Sequence, residues 1–284
     1  MEKVSVTRLV ISPEEEGMSI GSLLRGRGYS RRLIRNIKLT EDGMRLDDLP
    51  ARADTRVSAG QELILSERER GTPPEPNHEL RAEILYEDGE VVVFDKPAGM
   101  PVHESADHRG DTLANLYAAL YPGEIFRPIN RLDRDTMGCV ACGKTRRSAA
   151  VLSGEVKKIY YGLIPLTRLS GGRVCAPIAR EEGSVITRCV SPEGQYSATC
   201  YRVIERFDDC ALCEFILETG RTHQIRVHMA HIGLPLLGDE LYGGDCSRFR
   251  GQALVCGKME IISDGRAVVC ESSAVNILKE KAYV

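Results

Sequence analysis

A charged run followed by closely spaced prolines, ERERGTPPEPN at residues 67–77, divides this 284-residue chain. Proline lacks an amide hydrogen and fixes φ, so such a stretch ends a helix and has no place in a central strand. It reads as a linker over residues 69–80. The length suits one small and one large unit. The expected layout is a small domain at 1–68 and a larger one at 81–284.

The patterns on the two sides differ. Residues 25–38 read RGRGYSRRLIRNIK, with cations at Arg25, Arg27, Arg31, Arg32, Arg35 and Lys38 and no acid among them. Ser30 is a suitable N-cap for a short helix. On that helix Leu33, Ile34 and Ile37 share one face, while Arg31, Arg35 and Lys38 share another. Charges of one sign repel unless an anion is near, so the cationic face, with Arg32, is expected to meet phosphates. Strand-like pieces follow, ending in TRVSAGQELIL at residues 55–65.

Beyond the linker come short apolar runs broken by Gly, Pro and Asp. Residues 91–94 read as a buried strand, DKPAG at 95–99 as a turn, and 112–120 as a helix. Further strands are expected at 139–141, 160–164, 198–203 and 212–217. The expected fold class is α+β.

Apolar residues make up 42% of the chain and charged ones 28%, which suits a globular protein better than a disordered one. No apolar run approaches the roughly 18 residues of a membrane span. The N-terminus lacks a basic segment leading into an apolar stretch, so no secretory signal is read there. The expectation is a soluble, cytoplasmic monomer without a membrane partner. The net charge of −3 does not announce a nucleic-acid binder, but binding needs only a local positive face.

Ten cysteines include two C-x-x-C pairs, Cys139 with Cys142 and Cys210 with Cys213. That spacing suits zinc. Their settings, GCVACGK and DDCALCEFIL, are strand-like, so the thiols are expected to be buried structural groups and no metal is expected.

Three segments carry chemistry. NRLDRDTMG at residues 130–138 places Asp133 between Arg131 and Arg134. A carboxylate kept ionised by cations can act as nucleophile or general base; taken alone, this one reads as an ordinary ion pair. The segment LETGRTHQIRVHMAHIGLPLLGDELYG at 217–243 is dense in polar groups that are costly to bury unpaired. Its Arg221, His223, Gln224, Arg226 and His228 are expected to position a neighbouring loop or phosphates. Its histidines lack a metal-site spacing. In VKKIYYGL at 156–163, Lys158 and Tyr160 alternate and so share a strand face, where Tyr160 could stack on a flat ligand.

Together these segments resemble the RluA family of RNA pseudouridine synthases. The family hallmark His-Arg-Leu-Asp-x-x-Thr-Ser-Gly corresponds to NRLDRDTMG, its Lys-x-Tyr strand to Lys158 and Tyr160, and TGRTHQIRVH at 219–228 matches without change. GDELYG at 238–243 and YEDGEVVVFDKPAGMPVH at 86–103 match two further signatures. Asn130, Met137 and the Leu254-Val255-Cys256 run depart from the family's His, Ser and Leu-His-Ala. The N-terminal stretch resembles the small αL-motif RNA-binding domain first seen in a ribosomal small-subunit protein, although KLTEDGMRLDD stands where a Val-Asn-Gly-like turn is usual.

The resemblance implies a catalytic domain with a mixed, largely antiparallel sheet, acting on a uridine flipped out of folded RNA. The glycosidic bond breaks, the base rotates, and ribose is rejoined to carbon 5. No redox change or intermolecular transfer occurs, so no cofactor is implied. Asp133 would attack or deprotonate the ribose side. Arg221 would pair with Asp133. Tyr160 would stack on the uracil and help remove the carbon-5 proton. Arg131, Leu132, Thr136, Lys158, His223, Gln224 and Arg226 would bind substrate. Ribosomal RNA of the large subunit is the first expectation for the partner, with transfer RNA as the alternative. A catalytically decayed RNA-binding protein is the rival reading, as is a zinc enzyme using the paired thiols. A hydrolase pairing Asp133 with Asp135 is disfavoured, because these side chains would point to opposite faces of an extended segment.

Overall fold

In the computed structural model, which describes residues 4–68, 71–154, 156–263 and 265–282, apolar side chains gather into one core before the proline-rich stretch and, after it, into a larger core and a smaller one beneath the C-terminal helix. The first core lies between two helices and a four-stranded sheet. Strand β1 (Val4–Val10) pairs with β4 (Glu62–Arg68), which pairs in turn with β2 (Met44–Leu46) and, beyond it, β3 (Leu49–Pro50). The opening strand goes beyond the sequence expectation, because neither of its faces reads as a clean apolar stripe. At the β2–β3 turn Asp47 and Asp48 both adopt positive φ. They do the work of the expected Asn-Gly pair, since aspartate tolerates the left-handed region better than most residues.

Helix α1 (Ile20–Gly26) and helix α2 (Arg31–Lys38) cover this sheet. Ser30 caps α2 by accepting from the Leu33 amide, and Leu33, Ile34 and Ile37 are buried, as the pattern required. Arg31, Arg32, Arg35 and Lys38 are exposed. Arg27 belongs elsewhere: its guanidinium pairs with Glu15 at 2.5 Å.

Residues 69 and 70 of the expected linker lie outside the described residues. Residues 71–80 form neither helix nor strand. They are nevertheless fastened, because the buried Asn115 donates to the Glu75 carbonyl at 2.8 Å and Asn77 donates to the Gly110 carbonyl at 2.7 Å.

The larger sheet is mixed but mainly antiparallel. Its strands are β5 (Glu83–Glu87), β6 (Val91–Lys96), β7 (Met137–Gly143), β8 (Lys157–Pro165), β9 (Gly171–Cys175), β12 (Ala198–Arg206), β13 (Cys210–Leu217), β14 (Leu254–Ser263) and β15 (Arg266–Glu271). The order is β5-β6-β7-β14-β8-β13-β12-β9, with β15 added to β14. Only β7 and β14 run parallel among these pairs, over a short register at Met137 and Gly138. Strands β10 (Ile178–Arg180) and β11 (Arg188–Val190) form a separate hairpin. Helices α3 (Leu113–Leu120), α4 (Arg146–Leu152), α5 (Gln224–His231) and α6 (Ala274–Ala282) complete the chain. Every strand and helix expected beyond the linker forms, mostly longer than its apolar run. The expected turn at 95–99 begins two residues late, because Asp95 and Lys96 still pair with Cys139 and Gly138.

The C-x-x-C thiols are buried strand residues. Residues three apart on a strand face opposite ways. Cys139 accordingly reaches the Cys270 carbonyl, whereas Cys142 lies by the Arg127 amide. Burial pushes Cys142 and Cys213 up to about 12, so both remain thiols at neutral pH.

The N-terminal unit meets the rest at α4. The Val151 side chain packs on Gly28, Arg147 lies over the Tyr29 ring at 5.7 Å, and Arg146 approaches Glu67 at 3.6 Å. Among the described residues no helix is long and apolar enough to cross a membrane.

Candidate active site

Asp133 sits in the loop between α3 and β7, and two devices fix that loop. The first is Asn130, buried, whose amide donates to the Cys139 carbonyl at 3.1 Å and accepts from the Ala141 amide at 2.9 Å. It pairs with the strand as backbone would, which gives the departure from histidine a structural use. The second is Lys96, 1% exposed, whose Nζ donates to the carbonyls of Pro97, Met100 and Arg134, each at 2.8 Å. Three acceptors match the three donors of an ammonium. Burial nonetheless pushes this group down to about 7, against the pull of Asp135 and Asp133. Gly138 closes the loop at φ +104°, with its α-carbon against the Cys256 carbonyl, where a side chain has no room.

The flanking arginines do not hold Asp133. Arg134 turns to Asp135 at 2.9 Å, and Arg131 is exposed at the cleft. The partner of Asp133 is Arg226, whose Nη1 donates to its Oδ2 at 3.2 Å, with His223 Nε2 at 3.8 Å. This corrects the expected pairing with Arg221. The turn ahead of α5 carries Arg221 outward, where its Nε donates to the Tyr196 carbonyl at 3.3 Å, and the first turn of α5 brings Arg226 inward. Arg226 is itself gripped by the buried Asp239, through Nε at 2.7 Å and Nη2 at 2.8 Å, and lies 5.0 Å from the centre of the Tyr242 ring. Such a fork restricts the guanidinium to one orientation.

Gln224 spends all its capacity on this turn. Its Oε1 accepts from the Thr219 hydroxyl and the Arg221 amide, and its Nε2 donates to the Ala198 carbonyl and Thr199 hydroxyl. It braces the turn and has no hydrogen-bonding group left for substrate. Arg226, expected to bind substrate, is likewise engaged by two carboxylates. Thr136 is buried and accepts from Gln252 at 3.0 Å. His223 holds the left-handed conformation at the start of α5, and its Nδ1 lies 2.8 Å from the Tyr242 hydroxyl. Burial lowers its pKa, which favours the neutral imidazole. His228 is buried between the Thr199 hydroxyl and the Ala176 carbonyl, so it belongs to the scaffold.

Arg131, Leu132, Asp133, Thr136, Tyr160, Arg221, His223, Gln224 and Arg226 border one small recess of about 70 Å³. It adjoins a cleft of about 770 Å³, and Arg131, Tyr160, Leu217 and Arg221 line both. Lys158 lines the cleft, on the same face of β8 as Tyr160. Tyr160 is 6% exposed, with the Cys256 thiol beside its hydroxyl, and burial pushes its pKa well above 10. The α2 cations lie on the other unit, outside these cavities.

Lys96, Asp239 and Tyr242 fall outside the sequence-based candidates. The signal for Lys96 is present in the sequence: a lysine ending the apolar run VVVFDK must either reach solvent or find several acceptors. For Asp239 and Tyr242 the signal is the GDELYG signature at 238–243, but their partners Arg226 and His223 lie across the return from α5 and no spacing names them.

The arrangement is an ion-paired carboxylate, 27% exposed, bordering a recess walled by a phenol and by Leu132, Leu217 and Leu254. It suits nucleophilic or base chemistry on a flat, uncharged group.

The profile of the family described as RNA pseudouridylate synthase matches residues 90–231. The ribosomal large subunit pseudouridine synthase D of Pseudomonas aeruginosa is 37% identical over 226 residues, which is 76% of this chain and 68% of that protein. The uncharacterized RNA pseudouridine synthase YhcT of Bacillus subtilis is 38% identical over 192 residues, 63% of this chain and 64% of that one. The matches thus span about two thirds of these relatives' own lengths. Among solved structures, human RNA pseudouridylate synthase domain containing 1 superposes with a TM-score of 0.58 at 25% identity, over 70% of this chain and 85% of that chain.

Proposed function

The chain belongs to the RNA pseudouridylate synthase family, which makes it an isomerase, and we propose that it converts particular uridines of large-subunit ribosomal RNA to pseudouridine with Asp133 as the catalytic carboxylate. The observation that carries the reading is the Asp133–Arg226–Asp239 chain of charges opening beside Tyr160. It holds one carboxylate oriented where a flipped base can meet it. The large-subunit substrate rests on the names of the relatives, and transfer RNA is the alternative.

In this scheme a uridine leaves its helix and enters the recess. Asp133 attacks or deprotonates on the ribose side, the glycosidic bond breaks, and the base turns to offer carbon 5 to the ribose. Arg226 keeps the carboxylate aimed. Tyr160 supplies a stacking face, worth about 1–3 kcal/mol per base. Burial keeps the phenol protonated, so it serves as a wall; once carbon 5 is joined to the ribose, its proton passes to water while N1 takes one up, so no atom is gained or lost. No step calls for a cofactor or metal. Arg131, Lys158 and Arg221, at the cleft, would meet the phosphates.

We assign residues 1–68 to an RNA-binding unit of the αL kind and 81–284 to the catalytic unit, joined by 69–80. The exposed Arg31, Arg32, Arg35 and Lys38 on α2 would hold RNA backbone. We expect a cytoplasmic monomer.

The test is a pseudouridine map of total RNA from cells with and without the gene, restored with wild type or Asp133→Asn. Sites lost on deletion should return with wild type and stay absent with Asp133→Asn, whose thermal stability should match wild type. A map that deletion leaves unchanged would favour the binding-only reading.

A further inference from the structure

The hairpin of β10 and β11 sets Ile178 opposite Val190, Ala179 opposite Cys189 and Arg180 opposite Arg188. The Glu181 amide donates to the Thr187 carbonyl, and the Ser191 amide donates to the Pro177 carbonyl. Hydrogen-bonded and non-hydrogen-bonded pairs alternate along an antiparallel ladder, so Arg180 and Arg188 form a non-hydrogen-bonded pair, the kind whose side chains come closest. Like charges placed directly opposite destabilise a ladder. Among the described residues no acid pairs with either guanidinium. Arg188 Nη1 donates only to the neutral carbonyls of Ile186 and Thr187, and Arg180 is exposed. Alternation turns Glu181 to the other face of the hairpin, and Glu182 lies in its turn.

This pair stands near Asp133. The Arg188 amide points out of the ladder and donates to the Tyr242 hydroxyl at 3.0 Å, and that hydroxyl lies 2.8 Å from His223 Nδ1. His223 Nε2 is in turn 3.8 Å from Asp133. Burial lowers the pKa of His223, and the charges of Arg226 and Arg188 lower it further, so the Arg188 guanidinium is felt at the turn before α5. RNA delivered here meets excess negative charge, because the Asp133–Arg226–Asp239 chain holds two carboxylates and one guanidinium. A phosphodiester is repelled there unless cations flank it. Arg131, Lys158 and Arg221 flank it along the cleft. Arg180 and Arg188 add cations from the hairpin, outside the recess and the cleft, where backbone and not base would pass.

We propose that Arg180 and Arg188 are a phosphate clamp on the RNA strand that carries the target uridine. One phosphodiester lies between the two guanidiniums, which donate to its oxygens, and its charge removes the repulsion between them. The inference rests on the reading of the Asp133 recess as the target-uridine site. Tyr242 ties the two together, because its hydroxyl fixes the hairpin to the turn that bears His223. The strand is thus gripped in the same frame that holds Asp133, and binding energy gained on the backbone offsets part of the cost of unstacking the base.

The experiment is a titration of the intact protein, isotope-labelled at arginine and followed by NMR at the Nε–H groups, with hexauridylate and with uridine, which has the base and no phosphate. Hexauridylate should move the Arg180 and Arg188 signals, and uridine should leave them in place. The Arg180→Gln/Arg188→Gln variant should bind hexauridylate at least about threefold more weakly at low salt, with a log–log salt slope flatter by roughly 0.7 for the one phosphate no longer held. Arg180→Gln alone keeps the Arg188 bonds to the hairpin carbonyls. It should flatten the slope too, and without RNA it should melt no lower than wild type, because it relieves like charges. Unmoved arginine signals, an unchanged slope, or a lower melting temperature for Arg180→Gln would overturn the clamp. The RNA map judges the reaction separately. Moved signals and a flattened slope with a map indifferent to deletion would keep the clamp and remove the synthase reading, whereas unmoved signals with sites lost on deletion would remove the clamp alone.

Discussion

Asp133 depends on a residue 93 positions away, and Arg226 in turn depends on Asp239. Asp239 is 1% exposed, so removing it leaves a buried guanidinium with one carboxylate in place of two. Breaking a buried pair from one side costs about 3–5 kcal/mol. Asp239→Ala should therefore lower the urea midpoint by that equivalent and reduce turnover, while Asp133→Asn reduces turnover alone. Lys96 allows a test by pH. Its folded-state pKa of about 7 lies below the unfolded value of about 10.4. Between those limits the unfolded chain binds more protons, so stability rises with pH across the window. Compared with Lys96→Met, which cannot titrate, wild type should gain up to about 1.4 kcal/mol per pH unit between roughly pH 7.5 and 9. Urea unfolding at both pH values checks it, and parallel curves for the two proteins would refute the depressed pKa.

At the scale of elements, α2 shows how far a pattern reaches. Its cap, its buried stripe and its exposed cations all follow from residues 30–38 and the helical period of about 3.6 residues. Arg27 is the exception in the basic run, because Glu15 lies far off in sequence and close in space. Replacing Arg31, Arg32 and Arg35 with Gln should weaken RNA binding and flatten its dependence on salt, by roughly 0.7–0.9 in the log–log slope for each phosphate no longer neutralised. Filter binding from low to moderate salt would show it, and an unchanged slope would exclude α2 from the RNA interface. The helix α5 behaves otherwise. Its unchanged match to TGRTHQIRVH makes the segment recognisable, yet which of its two arginines faces Asp133 depends on a turn built by the Gln224 side chain.

Across the whole molecule, the core before the prolines is separate from those after them, and the two parts meet at a modest seam between Tyr29, Gly28 and α4. We expect two heat-absorption transitions by calorimetry. Leu24→Ala, at a fully buried position of the core before the prolines, should cost about 2–5 kcal/mol and lower one transition by roughly 10 °C or more, with little change in the other. A single transition that shifts as one would mean the seam couples the units. Residues near one another in the chain were enough to specify α2, β6, α3, β7, β8, β12 and β13, the irregular stretch at the prolines, the family, and the loop bearing Asp133, because periodicity, turn chemistry and contiguous motifs are local properties. Contacts across the fold decide that Arg226 and not Arg221 meets Asp133, and that Lys96 anchors the loop from beneath. Those relations join strands and turns distant in the chain, and their geometry is set by sheet register and by buried polar groups finding partners, which no local pattern encodes.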